Sequence, residues 1–293
     1  MDSRICLFHR LCTATIWVYS GANLTYGKDK LPALSSIAEV CFGENGDQYL
    51  AGIWKRKIEE QLCWGLAGCK ALERPLWRAP SWPWASINGH VAWQTICNGA
   101  LDTRYAHVVD ANTSPSGYNS FGQVTDGFIR LACSTIALGH LVSTPNLDGA
   151  GYENAAAILL NVRGQKKTLS IYLNCLDDVD QNYTRPIHLV PLLGGKSGTS
   201  HSVNEGETIE ELKIQGIVLR NTDSAIGTHT RIGYFSFFKD SANIGWSKNI
   251  TEELYEPFLQ ALEEQGLATA ETACSEILSD AEPSDHRYLI TIV

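Results

Sequence analysis

The sequence predicts an α+β protein: helices at the front, a predominantly antiparallel β sandwich or barrel behind them, then late helices and a terminal strand. Three observations carry this. Apolar residues in the first quarter recur at spacings of three and four, the mark of amphipathic helices. From Arg78 onward the period changes to two, in β-branched and aromatic runs separated by Gly, Asn, Asp, Pro and Ser. Helical spacing then returns near residue 250, before the closing apolar run "YLITIV".

Taken in order, Asp29 is placed to cap a helix whose positions Leu31, Leu34, Ile37, Ala38 and Cys41 share a face. Pro32 lies in its first turn and Gly43 at its end. Asp47 opens a second expected helix carrying Leu50, Ile53, Trp54, Ile58 and Leu62, with Gly65 as its stop. The β part reads as "YAHVVDANT", "TDGFIRLACSTIAL", "AAILLNV", "KTLSIYLNC", "IHLVPLL", "LKIQGIVLR" and "RIGYFSFFK". With no helices between these runs, an antiparallel sheet is expected rather than a parallel one. The longest loops are expected at Ser143–Asn154 and Lys196–Glu207. "YEPFLQALEEQG", ended by Gly266, and "TAETACSEILSD" are the late helices, and "YLITIV" is expected to pair inside the sheet. This divides the chain into an N-terminal helical segment, 1–77, and a β-rich domain, 78–293. Its helices fall at about 250–280 and its final strand at about 287–293.

A length of 293 residues with 44% hydrophobic and 19% charged residues suits a globular chain with a real core. The formal charge of −9 and the lack of a basic run of five or more residues argue against nucleic acid, because neutralising phosphates requires clustered Lys and Arg. No window approaches the roughly 18 uninterrupted apolar residues of a membrane span. At the start, Arg4, His9 and Arg10 precede a short apolar stretch, Leu11 to Tyr19, as in a secretory leader. Thr13 and Thr15 interrupt that stretch, however, and no clean small-x-small cleavage site follows. Nine scattered cysteines, an odd number, read as reduced thiols, so the cytoplasm is the expected compartment. The sequons at Asn23, Asn112, Asn182 and Asn249 matter only in a secreted protein.

Candidate chemistry is thin. "LLGGKSGTS" carries Val190 where a phosphate loop needs glycine. "DDVDQN", counted as a calcium loop from Asp178, places Tyr183 at the glycine position and Leu189 at the bidentate glutamate. "GKSGT" fails the nucleophile elbow at Thr199. The histidines and cysteines lack zinc spacing. No cofactor or metal is expected, and the reading is non-enzymatic; a hydrolase would need residues that meet only in three dimensions.

The remaining signal is "RAPSWPWAS", with Pro80 before Trp82 and Trp84. On an extended segment residues two apart share a face, so the two indoles are expected to point the same way. They are either a stacking platform for a sugar or nucleobase, or an architectural plug. Burial of roughly 150–250 Å² per ring at about 25 cal/mol per Å² is worth several kcal/mol for the pair, and favours the plug.

The order of short motifs is the most specific feature. "YSGANLTYGKDKLPALSSIAEV", "DQYLAGIWKRKIEEQLCW", "RAPSWPWAS", "NSFGQVTDGFIRLAC", "HLVPLL", "IQGIVLR", "RIGYFSF" and "YLITIV" follow one another. This series resembles the region downstream of the heterokaryon incompatibility (HET) domain in large fungal proteins, from about Ile16 to Val293. "DKLPALSSIA", "YLAGIW" and "APSWPWAS" carry most of the likeness. The HET domain's own blocks have no counterpart, and "CWG" at Cys63–Gly65 echoes one of them only out of place. The resemblance implies an accessory or regulatory region that contacts an upstream HET domain or related fungal proteins. The family's link to cell death belongs to the HET domain and is not carried over. Asp29, Leu31, Leu34, Trp54, Pro80, Trp82 and Trp84 are the signature positions, and oligomeric state is left open.

Overall fold

A computed structural model describes residues 3–22, 24–67, 73–93, 101–142, 155–175, 185–197, 211–240, 254–278 and 287–293. The chain is α+β. Its elements begin with α1 (Ser3–Ser20), α2 (Ser35–Asn45), β1 (Tyr49–Leu50), β2 (Ile53–Trp54), α3 (Ile58–Leu62), β3 (Trp64–Leu66) and β4 (Val91–Trp93). The main sheet follows: β5 (Thr103–Arg104), β6 (Ala106–Pro115), β7 (Val124–Cys133), β8 (Ala137–Val142), β9 (Ala155–Val162), β10 (Gln165–Leu173), β11 (Pro186–Ser197), β12 (Glu211–Asn221) and β13 (Thr228–Asp240). Helix α4 (Tyr255–Ala273), β14 (Glu276–Ile277) and β15 (Tyr288–Ile292) complete the order.

Strands β8, β9, β10, β13, β12 and β11 pair antiparallel in that order, and β11 pairs back to β8. Six strands therefore close into a barrel. A barrel this narrow is filled by its own side chains: Ile158, Leu160, Leu169, Ile171, Ile187, Leu189, Phe235 and Phe237 belong to one buried cluster. Helix α4 adds Phe258 to that cluster, 4.9 Å from the Phe235 ring and 5.1 Å from that of Phe237. Beyond the barrel, β13 runs on parallel to β15, which pairs antiparallel with β7, and β7 with β6. The expectation that "YLITIV" pairs inside the sheet is met.

Three expectations need correction. The helix expected from Asp29 starts only at Ser35: Gly27–Lys30 and Pro32–Leu34 are 3₁₀ turns, Asp29 lies inside the first of them, and α2 runs past Gly43 to Asn45. The helix expected from Asp47 is instead a β1–β2 hairpin, with helix only at Ile58–Leu62. Its cause is the Ala51–Gly52 turn, whose φ values of 48° and 107° reverse the chain, as tight hairpins require. The Asp47 carboxylate accepts the Gln48 and Arg56 N–H groups, and the Gln61 amide bonds both the N–H and the carbonyl of Trp54. Side chains thus supply the pairing that so short a hairpin lacks.

Near the C-terminus one helix replaces the two expected over 250–280, and Gly266 sits inside it. A Cβ there would lie 1.8 Å from Thr135 Oγ1, so glycine permits close approach of helix and sheet rather than ending the helix. The stretch from Leu11 to Tyr19 lies within α1. The loops expected at 143–154 and 196–207, and the acidic "DDVDQN", lie outside the described residues, except Lys196 and Ser197, which continue β11.

A second buried cluster runs across the expected 77/78 boundary, joining Ile16, Leu31, Leu34, Leu50 and Trp64 to Trp82, Trp84, Ile217, Leu219 and Ile290. The front of the chain and the outer face of the barrel share this core.

Candidate functional site

Trp82 and Trp84 are both wholly buried, at 0% exposure. A stacking platform needs an open ring face, so the sugar or nucleobase reading at these two residues is corrected to interior filling. The segment is stitched in by its backbone. The Ser81 N–H donates to the Val293 carbonyl (3.1 Å), the Ser81 hydroxyl donates to the same oxygen, and the Arg231 N–H donates to the Ser81 hydroxyl (2.9 Å). Pro80 packs beside Gly127 of β7, where a Cβ would come within 2.9 Å of its ring. The Trp82 carbonyl accepts the Trp64 indole N–H at 2.9 Å, and the Arg231 guanidinium lies 3.5 Å over the Trp64 ring. Expected on one face, the two tryptophans diverge in use because Pro83 is extended and Trp84 starts a 3₁₀ turn. Trp84 donates its indole N–H to the Gly52 carbonyl at 2.7 Å, binding the segment to the hairpin turn.

Trp84 forms part of the lining of a cleft beneath α1 and α2. Leu34, Trp54 and Gly52 line it as well, so "DKLPALSSIA", "YLAGIW" and "APSWPWAS" converge in space. Asp29, Leu31, Pro80 and Trp82 do not line it. The other walls are Ala38 and Cys41, which share the expected face of Leu34, Tyr49 of β1, and Phe8, Cys12 and Ile16 of α1, which no sequence motif had pointed to. Spaced by four, Phe8, Cys12 and Ile16 fall on one helix face, a signal that was present in the sequence.

Cleft geometry follows from its rings. Trp54 meets Phe8 edge-on at 5.4 Å and Tyr49 edge-on at 5.1 Å, the arrangement that aromatic quadrupoles favour. Helix α1 is moored at its C-terminal end. The Tyr19 hydroxyl donates to the Lys30 carbonyl (2.9 Å), the Ser20 hydroxyl accepts the Val91 N–H (2.9 Å), and the Trp17 ring lies 3.9 Å from that of His90. Behind the cleft, the ammonium of buried Lys30 donates to the Ile87 carbonyl and sits 5.4 Å from the Trp84 ring. Burial, aided by the Arg78 guanidinium, lowers its pKa to about 7. Burial and the neighbouring Cys41 thiol push Cys12 up to about 12, and burial raises Tyr49 above the usual phenol range.

The cleft has a volume of about 120 Å³ and opens to solvent, and among the described residues no His, Asp, Glu, Lys or Arg lines it. Leu11 and Ile37, 60% and 51% exposed, form its rim. Among the described residues no group of three or more His, Cys, Asp or Glu is arranged to hold a metal, and no helix is long and apolar enough to cross a membrane. Comparison of the chain with protein-family models, curated proteins and solved structures gives no match.

Proposed function

We propose that the chain is a non-enzymatic, cytoplasmic contact module of the HET type, and that the outward faces of α1 and α2 dock a partner protein. The observation that carries this is the exposure of aliphatic side chains on two adjacent helices. Val18 and Val40 are 74% and 68% exposed, in line with the exposed rim residues Leu11 and Ile37. Exposed apolar side chains grouped in this way support the reading, since apolar surface marks protein contacts, and they flank the cluster in which Trp54 meets Phe8 and Tyr49 edge-on. The order of the resembling motifs, and their convergence under these helices, favours a folded HET domain as the partner.

Sedimentation velocity of the chain mixed with a separately supplied HET domain tests this. A faster-moving complex is expected with the native chain and is lost in the Val18→Glu/Val40→Glu double variant, whose melting temperature stays within a few degrees of the native value. An unchanged sedimentation coefficient on mixing, or a double variant that still forms the complex, sinks the reading.

A further inference from the structure

We propose that the cleft beneath α1 and α2 is a binding site for a small uncharged aromatic molecule of about one ring. The argument begins with size. An engineered apolar cavity of about 150 Å³ stays dry and takes benzene; this cleft, at about 120 Å³, fits a single ring and little more.

Chemistry of the walls narrows the class. Thr15 contributes a hydroxyl, but that group already donates to the Leu11 carbonyl at 2.9 Å, so it offers the interior no free donor. Among the described residues, the remaining polar groups on the lining are the Cys12 and Cys41 thiols and the Tyr49 phenol. Burial raises both Cys12 and Tyr49, which keeps that thiol and that phenol neutral at physiological pH. A charged ligand would lose its hydration with nothing to compensate, a cost that excludes it. The Trp84 indole N–H is occupied by the Gly52 carbonyl, which holds the floor in place before any ligand arrives. Trp54, already edge-on to Phe8 and Tyr49, presents the kind of surface against which a further ring packs in tilted or edge-to-face geometry. Entry lies between Leu11 and Ile37 at the rim. The site is thus preformed, apolar and neutral, as small-molecule sites commonly are.

Toluene and benzoate, matched in size and differing in charge, are the probes. Titration with toluene is expected to shift the methyl resonances of Ile16, Leu34, Ile37 and Ala38 saturably and to change Trp54 emission, while benzoate binds about tenfold more weakly or worse. Ala38→Phe fills the cleft and is expected to weaken toluene binding about tenfold or more. Cys41→Met fills it more mildly and serves if the larger substitution unfolds the chain. The proposal fails if toluene shifts no methyl in the cleft, if benzoate binds as well, or if a folded filling variant binds toluene undiminished. Val18 and Val40 do not line the cleft. The Val18→Glu/Val40→Glu protein is therefore expected to take toluene normally, so this site and the docking face stand or fall separately.

Discussion

Helices α4 and α1 both lie over aromatic clusters, and they close them differently. Under α4, Phe235, Phe237 and Phe258 interlock at 4.9–5.1 Å and each is 0% exposed. Under α1, Phe8, Trp54 and Tyr49 meet at similar spacing, yet Phe8 and Tyr49 are only partly buried and a cleft remains beside them. The difference lies in the helices. Helix α4 uses Gly266 to press against Thr135 and turns Phe258, Ala261, Leu262 and Ala270 inward. Helix α1 spends Leu11 and Val18 on its outer face and has Cys12 among its inward positions. One helix completes a core; the other roofs a space.

That contrast can be broken or sharpened by experiment. Phe258→Ala should cost about 3–5 kcal/mol in denaturant unfolding, because it empties a sealed ring site. An effect below about 1 kcal/mol would mean that the α4 side is as loose as the α1 side.

Acid and alkali should distinguish the two sides next. His188 and His229, with rings 5.3 Å apart, are buried, and the His229 Nε2 lies 3.0 Å from the carbonyl of Ala273 at the end of α4. Burial and the neighbouring His229 ring lower the His188 pKa to about 4, and burial lowers His229 too. The folded state therefore holds them neutral while the unfolded chain takes up protons below about 6.5. Stability is full above that pH and falls as the pH drops towards 4, by up to about 1.4 kcal/mol per unit of displacement. His188→Gln should flatten this acid slope. On the Trp84 side Lys30 has the same sign in a different window: its folded pKa near 7 against the usual 10.5 means stability rises with pH between those values. Lys30→Met should remove that alkaline slope in urea titrations at pH 7 and pH 9.

Smaller effects follow. Trp84→Phe removes the 2.7 Å bond to Gly52 and leaves its carbonyl unpaired, for about 1–2 kcal/mol. Gly266→Ala should destabilise by about 1 kcal/mol as the new methyl meets Thr135, and adding Thr135→Ala should restore most of the loss. Least of all, Phe8→Ala at the half-open cluster should cost under about 1 kcal/mol by thermal melting.

Much of the β architecture was legible because alternation is local: each run from "YAHVVDANT" to "RIGYFSFFK" became a strand or a pair of strands. Closure of the barrel was not legible, since it depends on Tyr172 and Leu173 pairing with Tyr234 and Gly233, a contact no local period encodes. The Asp47 helix failed because Leu50, Ile53 and Trp54 satisfy helical spacing, whereas the positive φ values at Ala51 and Gly52 belong to a turn. Gly266 was read as a stop because sequence cannot show which residue a glycine must approach. Burial of Trp82 and Trp84 followed from ring area alone. Their split, with only Trp84 reaching the cleft, required the bend at Pro83. The cleft is not legible from apolar-run length, because its α1 wall is set by Phe8, Cys12 and Ile16 at a spacing of four.

Strand β15 joins parts of the molecule that are far apart in sequence: it lies between β13 and β7, and residue 293 meets Ser81 across 212 positions. Contacts of such range form late and slowly. During refolding the barrel is expected to stand complete while the tryptophan segment waits for its clasp. Recovery of tryptophan burial should then lag behind recovery of sheet, and a strand-β15 peptide added in trans would compete for the same vacancy.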